Sequence, residues 1–180
     1  MYRRGLGVKK SFQKTRDLFE QGAKKGDNFA KIGLAKVYIR GQGGPKKIDE
    51  GLEILHGLAK GPNAKSQLAL AKLYWNGKYV PKDLKLAAKW YRKAAGRGSR
   101  TGQAALGFMY LKGKGVKLDH AEAANWLQKA AEKGHRNAQY LLGTLYDDGK
   151  GVSKDPVLAL SWFKKAASRG HKKAKSRLKN

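Results

Sequence analysis

The sequence predicts an all-α fold, a right-handed α-solenoid of about five 36-residue helix–turn–helix repeats, and three observations predict it. Tyr2, Tyr38, Tyr74, Tyr110 and Tyr146 stand at successive multiples of 36, and so do Gly5, Gly41, Gly77, Gly113 and Gly149. Trp90, Trp126 and Trp162 fall in the same register, with Ile54 and Leu18 as earlier members. Ala23, Ala59, Ala95, Ala131 and Ala167 repeat likewise. A fixed period across a whole chain is the mark of a repeat architecture. Since 180 is five times 36, the chain is five periods in shifted phase.

Each period splits into two helices. Helix A is expected at 28–40, 64–76, 100–112 and 136–148, with a last piece from 172. Leu106, Met109 and Tyr110 supply its apolar side at helical spacing, and Gly107 is the small residue where a neighbour comes close. The turn Gly113–Val116 follows, and its glycines allow positive φ and stop the helix. Asp119 then caps helix B, with Glu122 three residues on in a capping box. In the last full unit Asp155 caps, and Pro156 takes the first helical position. Ala123, Trp126, Leu127, Ala130 and Ala131 define the buried face of helix B, and Gly134 ends it. One hairpin cannot bury its own apolar face, so stacked copies must share it, with a concave side lined mainly by A helices.

The spacing of these residues, A-x-x-x-L-G-x-x-Y-x-x-G-x-G-V-x-x-D-x-x-x-A-x-x-W-x-x-K-A-A-x-x-G, resembles the Sel-1-like repeat, a relative of the tetratricopeptide repeat. The period of 36 excludes a 34-residue tetratricopeptide array. The units at 100–135 and 136–171 match the pattern nearly everywhere. The unit at 64–99 has Tyr79 in place of the second turn glycine. The unit at 28–63 carries Gly44, Lys47 and Pro62 instead of the usual Val, Asp and Gly. Residues 1–27 form a partial repeat that keeps Gly5, Gly7 and Val8, and 172–180 form a basic half-helix that caps the array. One repeat domain over 1–180 is thus expected. The resemblance implies a scaffold or adaptor, commonly bacterial, used in envelope processes, signalling or host contact.

Composition bounds the rest. The chain has no cysteine, which excludes disulfides and thiolate metal sites. The opening MYRRGLGVKK has no apolar signal region, so a native start at Met1 implies a cytoplasmic protein. Removal of an upstream signal peptide implies a periplasmic or exported one. Forty Lys and Arg against 13 Asp and Glu give a net charge of +27, a field that attracts polyanions or acidic proteins. Residues 64–99 hold nine basic and one acidic residue, and 136–180 hold eleven and three.

No catalytic set emerges, and neither a cofactor nor a metal is implied. His135 and His171 share one repeat position and are expected in post-helix turns. Asp147 and Asp148 are expected as a solvated pair, and Asp83, Asp119 and Asp155 as caps. The glycine-rich turns lack the preceding strand and the Gly-Lys-Ser/Thr ending of a phosphate-binding loop. The sequence therefore points to a non-catalytic interaction protein. Its partner is expected on the helix-A stripe that the core leaves free: Leu68, Lys72 and Trp75, with the equivalents Ile32, Lys36 and Ile39; Ala104, Phe108 and Leu111; and Tyr140, Thr144 and Asp147. Trp75, Phe108 and Tyr140 would anchor a peptide or an acidic protein. The alternative is a nucleic acid or other polyanion held on exposed ridges by Lys85, Lys89, Arg92, Lys93, Lys164, Lys165, Lys172 and Lys173. Phe12, Leu18 and Phe19 in the incomplete first period are expected to be poorly covered, which offers a route to oligomers.

Overall fold

The structure, a computed structural model, describes residues 11–179. Among them it contains ten helices: α1 (Phe12–Lys24), α2 (Asn28–Arg40), α3 (Ile48–Lys60), α4 (Ala64–Asn76), α5 (Leu84–Gly96), α6 (Arg100–Lys112), α7 (His120–Glu132), α8 (Arg136–Asp148), α9 (Pro156–Ser168) and α10 (Lys172–Arg177). The four full A helices have the boundaries that the period predicts. The turn expected at Gly5, Gly7 and Val8 lies outside the described residues. The chain forms two compact units, divided between Lys82 and Asp83.

In the first unit, Leu55, Ala59, Leu70 and Ala71 are fully buried, with Val37 and Ile39 close to it. Gly33 exists to admit a ring: a Cβ there would lie 2.5 Å from Phe19 Cε1. Phe19 also meets Phe29 edge-on at 6.4 Å. Leu18, at the tryptophan position of the repeat, is exposed. Arg16 is buried and satisfied. Its Nε donates to Glu20 Oε1 at 3.0 Å, and its guanidinium lies 4.5 Å from the Tyr38 ring centre.

In the second unit the core runs through Ala123, Leu127, Ala130, Ala138 and Leu142, all fully buried. Gly107 is where α6 meets α7, since a Cβ there would lie 2.7 Å from Leu127 Cγ. Trp90 and Trp162 are buried, whereas Trp126 is only half-buried. Trp126 is therefore less of a plug than its repeat position suggests. Lysines lie on all three indoles: Lys93 Nζ is 4.9 Å from the Trp90 ring centre, Lys129 4.6 Å from Trp126 and Lys165 4.1 Å from Trp162.

A buried glutamine recurs at period 36. Gln67, Gln103 and Gln139 each donate Nε2 to the carbonyl of the repeat alanine, Ala59, Ala95 and Ala131, at 3.3, 3.3 and 3.0 Å. Each bond ties helix A to the end of the helix before it. The capping box is half formed. Asp119 accepts from the Glu122 N–H at 2.9 Å, but the Glu122 carboxylate takes the Trp126 Nε1–H at 2.9 Å. The Asp119 N–H donates to the Tyr110 carbonyl instead. Half-burial of Trp126 brings its indole donor within reach of Glu122, so the carboxylate turns forward along the helix.

Candidate functional site

The helix-A stripe is only partly free. Ile32, Ile39 and Ala104 are buried, at 5, 1 and 7% exposure, so these three expected stripe members belong to the core. An aliphatic side chain at those positions finds a neighbouring helix before it finds solvent. Tyr140 is also taken up in packing. Its ring stacks on His171 at 4.4 Å, lies 5.7 Å from Phe163 and covers Ala166, Ala167 and Ala174. The stack removes one ring face from the expected anchor. Asp147 pairs with Arg177, and Asp148 lies 2.9 Å from Lys150 Nζ, which with desolvation opposing holds the Asp148 carboxyl below its usual range. The two acids are thus surface ion-pair partners.

What remains of the stripe falls into two sets, one in each unit. In the second unit Phe108 and Leu111 are half-buried on α6, and Lys114 Nζ stands 5.9 Å from the Phe108 ring centre. In the first unit Leu68 and Trp75 are half-buried on α4, Lys72 is exposed there, and Lys36 is half-buried on α2. Lys36 and Lys72 line a pocket of about 670 Å³. Arg40 and Lys78 line it too, so four cations surround it with no acidic side chain in the lining. Ile39, Leu55, Ala69 and Leu73 give it an apolar floor. Gln42, Asn76 and Tyr79 complete the wall.

One wall of the pocket comes from a turn that departs from the repeat pattern. In the turns Gly113–Val116 and Gly149–Val152 the second glycine has a φ of +72° or +69°. A methyl group on Gly115 would overlap the Leu84 carbonyl, and one on Gly151 the backbone at His120. In both turns the backbone presses on the start of the preceding B helix. The third turn has Tyr79 at this position, and no described non-glycine residue has positive φ. Its backbone takes another path, and Lys78 and Tyr79 face the pocket, with Lys78 Nζ 5.4 Å from the Tyr79 ring centre. Sequence reasoning found Lys36 and Lys72 but missed Arg40, Gln42, Asn76 and Lys78. The break in the glycine pattern at Tyr79 was the available signal.

The exposed cations of the alternative site divide differently. Lys85, Lys89, Arg92 and Lys93 are exposed on α5, Lys164 and Lys165 on α9, and Lys172 and Lys173 on α10. Three of them already hold a neighbour: Lys93 and Lys165 lie on tryptophans, and Arg92 Nη2 donates to the Tyr110 hydroxyl at 2.9 Å.

Two of the four histidines, His135 and His171, are caps. His135 Nδ1 accepts from the Ala138 N–H at 3.3 Å, and His171 Nδ1 from the Ala174 N–H at 3.2 Å. Asn63 and Ser99 do the same in other repeats, accepting from Ser66 N–H and Gly102 N–H. Among the described residues no group of three or more His, Cys, Asp or Glu could hold a metal ion. No described helix is long and apolar enough to cross a membrane.

Comparison with known proteins agrees with this architecture. The family model for the Sel1 repeat matches residues 1–27, 29–56, 64–99, 101–135 and 136–171. No curated protein matches the chain significantly. Among solved structures, the protective antigen c5321 of uropathogenic Escherichia coli, which displays the Sel1-like repeat fold, is 34% identical with a TM-score of 0.84. That match covers 91% of this chain but only 35% of the antigen, so the chain spans about a third of its length. A Sel1 repeat protein from Oxalobacter formigenes is 32% identical over 97% of this chain and 71% of its own, also with a TM-score of 0.84. The cysteine-rich protein B of Helicobacter pylori is 27% identical over 73% of this chain and 94% of its own, with a TM-score of 0.55. Sel1 repeat proteins are generally protein–protein interaction scaffolds, typically without catalytic activity. With five matched repeats and relatives at a third identity, this chain belongs to the Sel1 repeat family, as an all-α, solenoid-type member.

Proposed function

We propose that the protein is a non-catalytic adaptor that binds a peptide or an acidic protein surface on its helix-A side. The observation that carries this reading is the pocket on α2 and α4, where four cations surround an apolar floor. Such a site offers apolar burial for affinity and charge for steering and specificity. Lys36 and Lys72 line it, Leu68 and Trp75 are half-buried on α4 outside its lining, and Phe108 and Leu111 offer a separate half-buried patch in the second unit. The net charge of +27 favours an acidic partner.

A photo-crosslinking residue at position 72, compared with one at position 89, tests the reading in the native host. Protein adducts at 72 that are absent at 89 are expected. Nucleic-acid adducts at 89 with none at 72 would replace it with the second reading, a polyanion-binding surface. That second reading draws support from the exposure of Lys85, Lys89, Lys164, Lys172 and Lys173. It requires affinity to fall steeply between roughly 50 and 200 mM salt, because displaced counterions drive such binding.

A further inference from the structure

We infer that the pocket of the first unit takes a short acidic peptide segment, one aliphatic side chain deep and flanked by carboxylates. The inference rests on the adaptor reading and names the ligand class of its site. Half-buried Leu73 offers apolar surface at the floor, beside Ile39 and Leu55, which are core residues at 1 and 0% exposure. These are aliphatic surfaces, suited to a leucine- or isoleucine-sized group. About 670 Å³ lies within the usual range of ligand pockets, roughly 300–1,000 Å³, and exceeds what one side chain fills. The remainder is room for backbone and for flanking groups.

The rim sets the sign of those groups. Arg40, Lys72 and Lys78 are exposed, so their charged ends reach solvent at the mouth, and Lys36 joins them from α2. A carboxylate beside an arginine gains a two-pronged pair that an amide or a cation does not. Asn76 and Gln42 can serve the peptide backbone with both a donor and an acceptor.

The same features disfavour a nucleic acid here. Single strands gain affinity by stacking bases on successive aromatic faces along a basic groove. This pocket has one aromatic, Tyr79, which already carries Lys78. Its floor is aliphatic, and its cations ring one cavity without forming a track.

The test is fluorescence anisotropy on the full chain at about 150 mM salt, with three labelled probes. The first is the peptide Glu-Asp-Leu-Glu-Asp, the second has Ser for Leu, and the third has Gln and Asn for the acids. A single-stranded oligonucleotide of equal charge is the comparator. Expected is binding of the first probe, a loss of at least tenfold for the second and the third, and weaker binding of the oligonucleotide. The pair R40E/K72E should lose at least tenfold for the first probe, and R40K should lose less than that pair, because lysine keeps the charge but not the two-pronged geometry. K164E/K165E, on α9, should lose less than twofold. Both pairs change exposed side chains, and circular dichroism checks that each still folds. Equal losses in the two charge-reversed pairs, no loss in R40E/K72E, or no binding of the first probe would each overturn the pocket assignment. In the second case peptide binding persists, and the adaptor reading survives the loss of its site. If the oligonucleotide binds tightly while no peptide does, the adaptor reading fails as well.

Discussion

The turn at Gly77–Val80 and the turns at Gly113–Val116 and Gly149–Val152 join helix A to helix B at the same repeat position with different chemistry. In the later two, the second glycine supplies positive φ and lets backbone press on backbone, at Leu84 or at His120. The turn at Gly41–Gly44 follows them, since a methyl group on Gly43 would overlap the Phe12 carbonyl. At Tyr79 the positive φ is given up, and a cation-lined pocket stands beside the turn. Val80 remains buried, so the anchor of the turn survives without the second glycine. The comparison teaches that in this array the repeat consensus marks where helices must touch, and a break in it marks where something else has room.

The largest expected effect separates the two kinds of turn. Gly115→Ala and Gly151→Ala each combine a strained φ with overlap onto fixed backbone. Each is expected to cost about 2–5 kcal/mol, the sum of a backbone strain term and an overpacking term. Tyr79→Ala meets neither penalty and should cost less than about 1 kcal/mol. Urea denaturation of the three variants measures this. A Gly151→Ala variant as stable as wild type would remove the clamp from the comparison. Tyr79→Gly sharpens it from the other side. It restores the consensus and removes a wall of the pocket, so acidic-peptide affinity should drop about fivefold, or about 1 kcal/mol, with the fold intact.

Helix caps give the next effect. Asp155 accepts from Leu158 N–H at 2.8 Å, and Asp83 from Leu86 N–H at 2.8 Å. Lys47, at the same position ahead of α3, makes no side-chain cap bond. Asp155→Ala should lose about 1 kcal/mol, whereas Lys47→Ala should lose less than about half of that. Lys47 does pair with Glu50 at 3.3 Å, but both side chains are well exposed and such pairs contribute little. Equal losses would show that the departures in the second repeat leave its energetics unchanged.

The architecture was legible because the period was strong: tyrosine, glycine, tryptophan and alanine all repeat at 36, and the A helices fall where those residues put them. The site was legible only in part. Lys36 and Lys72 follow from subtracting core positions from a helix face, but the same subtraction wrongly freed Ile32, Ile39 and Ala104. Helix periodicity says which side a residue takes; it does not say how far the adjacent helix reaches around. The stacking of Tyr140 was not legible for a related reason, because its ring partner His171 comes from 31 residues away. The buried glutamines were visible in the alignment of repeats, yet their bonds to alanine carbonyls needed the helix pair in place.

The smallest effect concerns the caps that differ only in chemistry between repeats. Asn63 caps α4 with a group that does not titrate near neutrality, while His135 and His171 cap α8 and α10 with one that does. A cap needs a bare Nδ1, so protonating that atom ends the bond. Both histidines are held below the ordinary value of 6.5. Desolvation is the main cause for each, followed by Arg100 for His135 and Arg136 for His171. In the unfolded chain they take up protons near 6.5, and in the folded chain only at lower pH. The unfolded state then binds more protons across that interval, and stability falls as pH drops through it. The carboxylates that are held low, Glu20, Glu50 and Asp148, titrate below about 4.5 and leave this window to the histidines. His56 is also lowered by burial and adds to the same slope. Wild-type protein should therefore melt at a lower temperature at pH 5.5 than at pH 7.5. The double variant His135→Asn/His171→Asn, which copies the Asn63 cap, should shrink that difference while keeping the pH 7.5 melting temperature. An unchanged pH slope would mean that the two imidazoles give up their caps without energetic consequence, and that histidine and asparagine are equivalent at this position of the repeat.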